Sequence, residues 1–198
     1  NCLKQNEKLE ILKLWDMGVA KMFADYEPNF FKFKLKRFAT GSDGNISIET
    51  ENNFRQFLDT QSDSMEAIRF RSGLDGINSR VVNKVFEMSA MKIVHIDGIV
   101  NLGELNLPMN SKMIELRLPW AVDTLAKLSP FLRAAPKLKV LFLRKINKDI
   151  LEYIAKHMAD LQLLYYTRAE GCMGCFKKFL SANKGTNKNI QLVSKEWY

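Results

Sequence analysis

The chain has 198 residues, of which 46% are hydrophobic and 26% are charged, a composition that excludes a disordered or low-complexity protein. Thirty Lys and Arg residues against 22 Asp and Glu residues leave a formal net charge of +8, which favours acidic partners. No apolar run reaches the roughly 20 residues that a transmembrane helix needs, so no membrane partner is expected.

Seven triplets of the form apolar-x-x-apolar-x-apolar recur along the chain. The alternation within each triplet predicts a short strand that buries one face. Five of the six steps between successive triplets lie within the roughly 20 to 29 residues of a leucine-rich repeat, so we expect one domain of about seven repeats over residues 1–198. In chain order, the triplets are Leu9-Leu12-Leu14, Phe30-Phe33-Leu35, Met65-Ile68-Phe70, Met91-Val94-Ile96, Met113-Leu116-Leu118, Leu138-Leu141-Leu143 and Leu161-Leu164-Tyr166.

One step between triplets is longer than the others. It separates Phe30 from Met65 and contains the polar segment TGSDGNISIETEN, which predicts a loop insertion over residues 40–52. The segment NNFRQFLDT predicts a helix at the end of this step, and CFKKFLSAN predicts the last helix of the chain.

Between most other triplets, the apolar spacing changes from 2 toward 3.6 residues, which predicts a helix after each strand. Asn78, Asp123 and Asn147 are the expected N-caps of three such helices, because short polar side chains accept hydrogen bonds from the first backbone N–H groups. Pro136 is expected to follow the end of the second of them. The segment between the fourth and fifth triplets predicts no clear helix.

A strand with one apolar face and a helix with one apolar stripe cannot bury both surfaces alone, so neighbouring repeats must share a core. The sequence therefore predicts an α/β fold, a right-handed leucine-rich repeat solenoid or horseshoe. Parallel strands would line its concave face and helices its convex face, because strands lie closer together than helices do.

Two segments, KINKDILEYIAKHMADLQLL and DGINSRVVNKVFEMSAMKIVHI, resemble the cysteine-containing leucine-rich repeats of F-box proteins. LRAAPKLKVLFL matches the end of the same pattern with Pro136 and Leu138, although Ala135 occupies the position that usually holds Cys. The resemblance implies a substrate-recognition domain that presents a target to a cullin-RING ubiquitin ligase. Since the chain does not begin with Met, we expect a fragment of a longer protein, with the F-box upstream of Asn1.

Cys172 and Cys175 form a Cys-x-x-Cys pair, the spacing of half a zinc site or of a redox pair. A tetrahedral site needs four ligands, and the remaining Cys2, His95 and His157 lie on other repeats, so we expect no metal and interpret the pair as two semi-buried thiols.

No Gly-rich phosphate loop, paired carboxylates or activated nucleophile is found, so neither catalysis nor a cofactor is expected. The odd number of Cys favours a reducing compartment, the cytoplasm or the nucleus.

The candidate site is the predicted concave face, where the residues that alternate with buried ones point outward. Most of its basic residues lie on the N-terminal and middle strands, and Phe142 and Tyr165 lie at the C-terminal end, which predicts a basic groove with an aromatic end. Its residues are Lys13, Trp15, Lys34, Arg69, Arg71, His95, Arg117, Phe142, Arg144 and Tyr165.

Three functions are compatible with such a face. The leading hypothesis is a protein-protein interaction module that binds an acidic or phosphorylated segment, because Arg pairs carboxylate and phosphate groups bidentately. An RNA-binding domain is the alternative, in which Trp15, Phe142 and Tyr165 would stack bases. Asp97 and Glu115 interrupt the positive stripe and weaken this alternative. The third is a structural scaffold that uses its convex helices.

Overall fold

The computed structural model describes the backbone of most of the chain, and all statements below concern that part. The side chains of residues 15–18 are excluded from the description. The described residues are 6–26, 31–41, 47–71, 78–97, 105–119, 122–170, 178 and 190–194.

Eight strands form one sheet in which the spatial order of the strands is their order in the sequence. Every neighbouring pair is parallel, which confirms the predicted α/β class with parallel strands. The strands are β1 (Ile11–Gly18), β2 (Arg37–Gly41), β3 (Ala67–Phe70), β4 (Ile93–Ile96), β5 (Glu115–Leu118), β6 (Val140–Ile146), β7 (Leu163–Ala169) and β8 (Gln191–Ser194).

Helices connect most of these strands. No helix was predicted between the fourth and fifth triplets, and the residues described between β4 and β5 contain none. Within the described part of the chain, no helix has both the length and the apolar character needed to cross a membrane. The helices are α1 (Val19–Phe23), α2 (Ile48–Thr60), α3 (Ser79–Glu87), α4 (Leu125–Ala134) and α5 (Lys148–His157).

A row of apolar side chains runs across the sheet and forms part of the core that the sheet shares with the helices. Six of the seven predicted triplets coincide with strands and contribute their second residue to this row. The helices bury matching residues, including Phe54 on α2, Val85 on α3, Leu132 on α4 and Ile154 on α5. The row consists of Leu12, Phe38, Ile68, Val94, Leu116, Leu141, Leu164 and Leu192.

The second predicted triplet, Phe30-Phe33-Leu35, is wrong because the second strand lies further along the chain. Phe38 pairs with Leu12 and Ile68, so the buried triplet of this repeat is Leu35, which precedes β2, followed by Phe38 and Thr40 in β2. The third of these is a threonine, which a search for apolar triplets misses.

Phe31 and Phe33 instead form part of an aromatic cluster that is buried beneath the sheet. Their rings stack with centroids 4.8 Å apart, and the Phe31 ring meets the edge of Phe57 on α2 at 5.8 Å. Gln61 fixes the segment, because its Oε1 accepts from Leu35 N at 2.7 Å and its Nε2 donates to Phe33 O at 3.2 Å. An apolar spacing that predicts a strand is here satisfied by aromatic packing.

The structure also differs from the predicted loop insertion over residues 40–52. Thr40 and Gly41 end β2, and α2 begins at Ile48, with Ser47 Oγ accepting from Thr50 N at 3.1 Å as its N-cap. The helix predicted in NNFRQFLDT is confirmed and is longer than expected at its start. The eighth strand was missed because only Leu192 is apolar in its triplet, in which Asn189 and Ser194 occupy the first and third positions.

Two of the three predicted N-caps are confirmed. Asn78 Oδ1 accepts from Arg80 N at 3.0 Å, and Asn147 Oδ1 accepts from Ile150 N at 3.0 Å. The third prediction, Asp123, is wrong by one residue, because Thr124 is the N-cap of α4. Pro136 follows the end of this helix, as predicted.

Candidate functional site

The face of the sheet opposite the helices, which we call the outer face, carries the side chains that alternate with the core row. Adjacent parallel strands lie about 4.8 Å apart, so neighbours in a row on this face contact one another. The strand register defines its central row as Lys13, Ala39, Arg69, His95, Arg117, Phe142, Tyr165 and Val193. Six of the predicted site residues therefore lie in this row. Ala39 separates Lys13 from the other five, which lie on the consecutive strands β3 to β7.

Lys34 does not belong to the outer face, which corrects its assignment to the site. Its Nζ donates to Thr60 O at 2.6 Å, at the end of α2, and pairs with Asp63 Oδ1 at 3.1 Å. This hydrogen bond lowers the pKa of Asp63 from its ordinary value. Lys34 was misplaced together with the second triplet, and Ala39 occupies the position in the central row that was assigned to it.

The middle of the outer face holds an Arg-Asp ion pair and a His-Glu hydrogen bond. Arg69 donates from Nε and Nη2 to Asp97 Oδ2 at 2.7 and 2.5 Å, and His95 Nε2 lies 2.7 Å from Glu115 Oε1. The acids come from neighbouring strands or strand ends. The positive charge of the predicted basic groove is therefore reduced at its centre, because Arg69 and His95 each have an acidic partner on the same face.

At the β5 to β7 end, the outer face holds a stack of one cation and two aromatic rings. The rings of Phe142 and Tyr165 are 4.2 Å apart and nearly parallel at 10°, and Arg117 Cζ lies 4.1 Å from the Phe142 centroid. Since the three residues lie on consecutive strands, Phe142 has Arg117 on one side and Tyr165 on the other. Burial lowers the pKa of Arg117, but a guanidinium remains charged at neutral pH.

The β1 to β3 end of the outer face carries exposed cations around small residues. Lys13, Arg37 and Arg71 are exposed, and Ala39 and Ala67 lie between them on β2 and β3. Arg37 was not predicted as a site residue, because the misplaced second triplet put it outside a strand. The corrected register would have identified it from the sequence.

The remaining predicted site residues lie beside the central row. Arg144 is half-buried in β6, where its carbonyl accepts from Thr167 Oγ1 at 2.7 Å. Trp15 lies in β1, and its side chain is outside the description. Cys2, Cys172, Cys175 and the helix predicted in CFKKFLSAN fall outside the described residues, apart from Lys178, so their interpretation stays a prediction. Among the residues that are described, no three His, Cys, Asp or Glu side chains are grouped as metal ligands would be.

Glu115→Gln is expected to reduce the loss of stability on acidification. The hydrogen bond from His95 lowers the pKa of Glu115 below its ordinary value of 4.5, against the opposing effect of burial. A lowered folded-state pKa contributes stability above the unfolded-state value, and this contribution is lost as the pH falls through the folded-state value. Urea unfolding at a series of pH values should show a flatter acid limb in the variant. Identical acid limbs would mean that the carboxylate of Glu115 is not paired in solution.

Comparison with known proteins finds no matching family model, no similar curated protein and no similar solved structure. The function must therefore be argued from the outer face itself. Its features are exposed basic residues at one end, an Arg-Asp pair and a His-Glu hydrogen bond in the middle, and an Arg-aromatic stack at the other end.

Proposed function

We propose that this chain is a protein-protein interaction module, a right-handed leucine-rich repeat solenoid whose concave surface is the outer face. It binds an acidic or phosphorylated segment of a protein partner. The observation that carries the proposal is the exposure of Lys13, Arg37 and Arg71 at the β1 to β3 end of the outer face. A repeated strand-helix unit supports the solenoid, since stacked units of this kind produce an extended binding surface.

The exposed cations favour carboxylate or phosphate groups. Ala39 and Ala67, which have short side chains, lie between Lys13, Arg37 and Arg71. Arg presents a planar fork to such groups, and charge-assisted hydrogen bonds of this kind are about twice as strong as neutral ones.

The opposite end of the outer face supports an apolar contact with the partner. Tyr165 is half-buried and its ring is held by the stack with Phe142, and Val140 and Leu163 form a half-buried apolar pair beside it. Rigid aromatic residues next to apolar neighbours are typical anchors of protein interfaces. A partner segment lying across the strands would reach both ends.

The stack also favours a protein partner over RNA. Single-stranded RNA is bound by stacking bases on available aromatic faces. Phe142 is only 5% exposed, with Arg117 and Tyr165 on its two sides, so a base could reach its faces only by separating the stack. The Arg-aromatic stack therefore acts as a rigid part of the surface.

By its resemblance to F-box proteins, we propose that the module is the substrate-recognition part of a ubiquitin-ligase subunit in the cytoplasm or nucleus. The F-box would lie upstream in the full-length protein and would bind the adaptor of a cullin-RING ligase. Binding of the full-length protein to such an adaptor tests this assignment, and an upstream sequence with no adaptor affinity would exclude it.

Lys13→Glu combined with Arg71→Glu is expected to weaken capture of the protein partner by about tenfold or more, because charge reversal removes attraction and adds repulsion. The partner is first captured from extract by the intact protein and is then titrated against purified variants. The matched control is Lys148→Glu with Lys156→Glu on α5, which changes the net charge equally on a helix surface.

Two outcomes would contradict the proposal. If the Lys13 and Arg71 variant binds the partner normally while the α5 control does not, the helices are the contact surface and the chain is a scaffold. If the intact protein binds single-stranded RNA tightly and the Lys13 and Arg71 variant does not, the outer face is a nucleic-acid site.

A further inference from the structure

A second row of side chains follows the edge at which the strands begin, and we call this the strand-start edge. Backbone hydrogen bonds link its residues in sequence, from Lys36 N to Glu10 O at 2.8 Å through to Gln162 N to Lys139 O at 2.9 Å. The residues therefore lie side by side on neighbouring turns of the chain. They are Glu10, Lys36, Glu66, Lys92, Ile114, Lys139 and Gln162.

The first four residues of this edge alternate in charge and pair with one another. Lys36 Nζ lies 2.7 Å from Glu10 Oε1, and Lys92 Nζ lies 2.9 Å from Glu66 Oε1. The pairing raises the pKa of Lys36, mainly through Glu10, and lowers that of Glu66, mainly through Lys92. The charges of these four residues thus cancel in two ion pairs.

Ile114 ends the alternation. It occupies the position between Lys92 and Lys139 where the pattern would place an acid, and it is 37% exposed. Lys139 is exposed, as are Lys112 and Lys137, which precede Ile114 and Lys139 by two residues. Among the described residues, none of Lys112, Lys137 and Lys139 has a side-chain ion pair, so three cations surround an exposed apolar residue.

The turn that leads into β5 is held rigidly. Asn110 is 7% exposed, and its Nδ2 donates to Phe86 O and Met88 O at 3.2 Å each, at the end of α3. Its Oδ1 accepts from Lys112 N at 3.0 Å. The adjacent Met109 is 74% exposed, so an anchored turn presents a large apolar side chain to solvent.

We propose that this edge patch, formed by Met109, Lys112, Ile114, Lys137 and Lys139, is a second contact surface that binds an acidic protein segment carrying an apolar residue. Carboxylates of the segment would neutralise the three lysines, and its apolar side chain would cover Ile114 and Met109. Because the turn is anchored by Asn110, little conformational entropy is lost on binding.

The composition of the edge patch favours protein over single-stranded nucleic acid. It contains lysines and aliphatic side chains, whereas base stacking requires aromatic rings or Arg. The edge patch lies at the strand starts and shares no residue with the outer face. The inference therefore does not depend on the proposed function of that face.

The test titrates the full chain with a fluorescein-labelled peptide in which Glu alternates with Leu. Lys112→Glu combined with Lys139→Glu is expected to weaken binding by about tenfold or more. Ile114→Ser is expected to weaken it about threefold or more at unchanged charge, because it removes an apolar contact. Rising salt should weaken binding of the intact protein.

A matched variant controls for net charge. Lys148→Glu with Lys156→Glu carries the same change in charge as the edge variant and is expected to bind the peptide as the intact protein does. Equal losses in the two double variants would overturn the proposal, because binding would then follow net charge alone. Absence of peptide binding even at low salt would also overturn it. Two further probes test the proposed occupant, vesicles of phosphatidylcholine and phosphatidylserine and polyuridine RNA. If either probe binds through Lys112 and Lys139 and the peptide does not, the edge patch does not bind an acidic protein segment.

Discussion

Truncation of Leu141 to Ala is expected to lower the free energy of unfolding by about 2 to 5 kcal/mol, as for other fully buried leucines. Leu141 is fully buried at the centre of β6, where it pairs in register with Leu116 on β5 and Leu164 on β7. The loss is the sum of two free energies. One is the transfer free energy of the removed isopropyl group, and the other is the cost of the cavity that remains because the neighbouring strands β5 and β7 hold β6 in place. Urea unfolding followed by circular dichroism measures this difference.

The matched control is Val140→Ala, one residue earlier on the same strand. Val140 lies on the outer face and is half-buried, so its truncation should cost about 1 kcal/mol or less. Equal losses for the two variants would mean that the alternation between core and outer face is wrong on β6.

Gln61→Leu is expected to lower the free energy of unfolding by about 2 to 4 kcal/mol, because a buried donor and a buried acceptor each cost about 1 to 3 kcal/mol when left unsatisfied. Gln61 is 1% exposed, and its side-chain amide bonds Leu35 N at 2.7 Å and Phe33 O at 3.2 Å. Leucine has a similar size but can replace neither hydrogen bond. Equilibrium unfolding in urea tests the effect.

Gln56→Leu on α2, the helix that Gln61 caps, provides the control for this substitution. Gln56 is exposed on α2, so the identical chemical change should alter stability by about 0.5 kcal/mol or less. Wild-type stability in the Gln61 variant would contradict the placement of residues 31–35 and, with it, the register of β2.

The parallel sheet was predictable wherever a repeat kept its three apolar positions. Met113, Leu116 and Leu118, for example, are all fully buried, and the strand between them lies where the triplet predicts. The N-caps Asn78 and Asn147 were predictable for a similar reason, since their function depends on backbone groups within the next few residues. Local chemistry was sufficient in these cases.

The second strand could not be assigned in this way, because two apolar patterns compete in one stretch. Phe33 and Leu35 have the spacing of a strand, yet Gln61 satisfies their backbone and Phe57 packs against the neighbouring Phe31. Thr40 meanwhile occupies a buried strand position without being apolar. The choice between the patterns depends on α2, whose position relative to this segment is a tertiary property.

The charge of the outer face was also decided by the tertiary structure. The sequence by itself determined that Arg69, His95 and Arg117 share one row, because alternation and repeat length are local properties of the chain. It did not determine that Asp97 pairs with Arg69 and that Glu115 lies against His95, or that Arg117 lies over Phe142. Those contacts join residues of different repeats, and their geometry exists only after the strands have paired. A count of the basic residues on the outer face therefore overestimates the positive charge that this face presents to a partner.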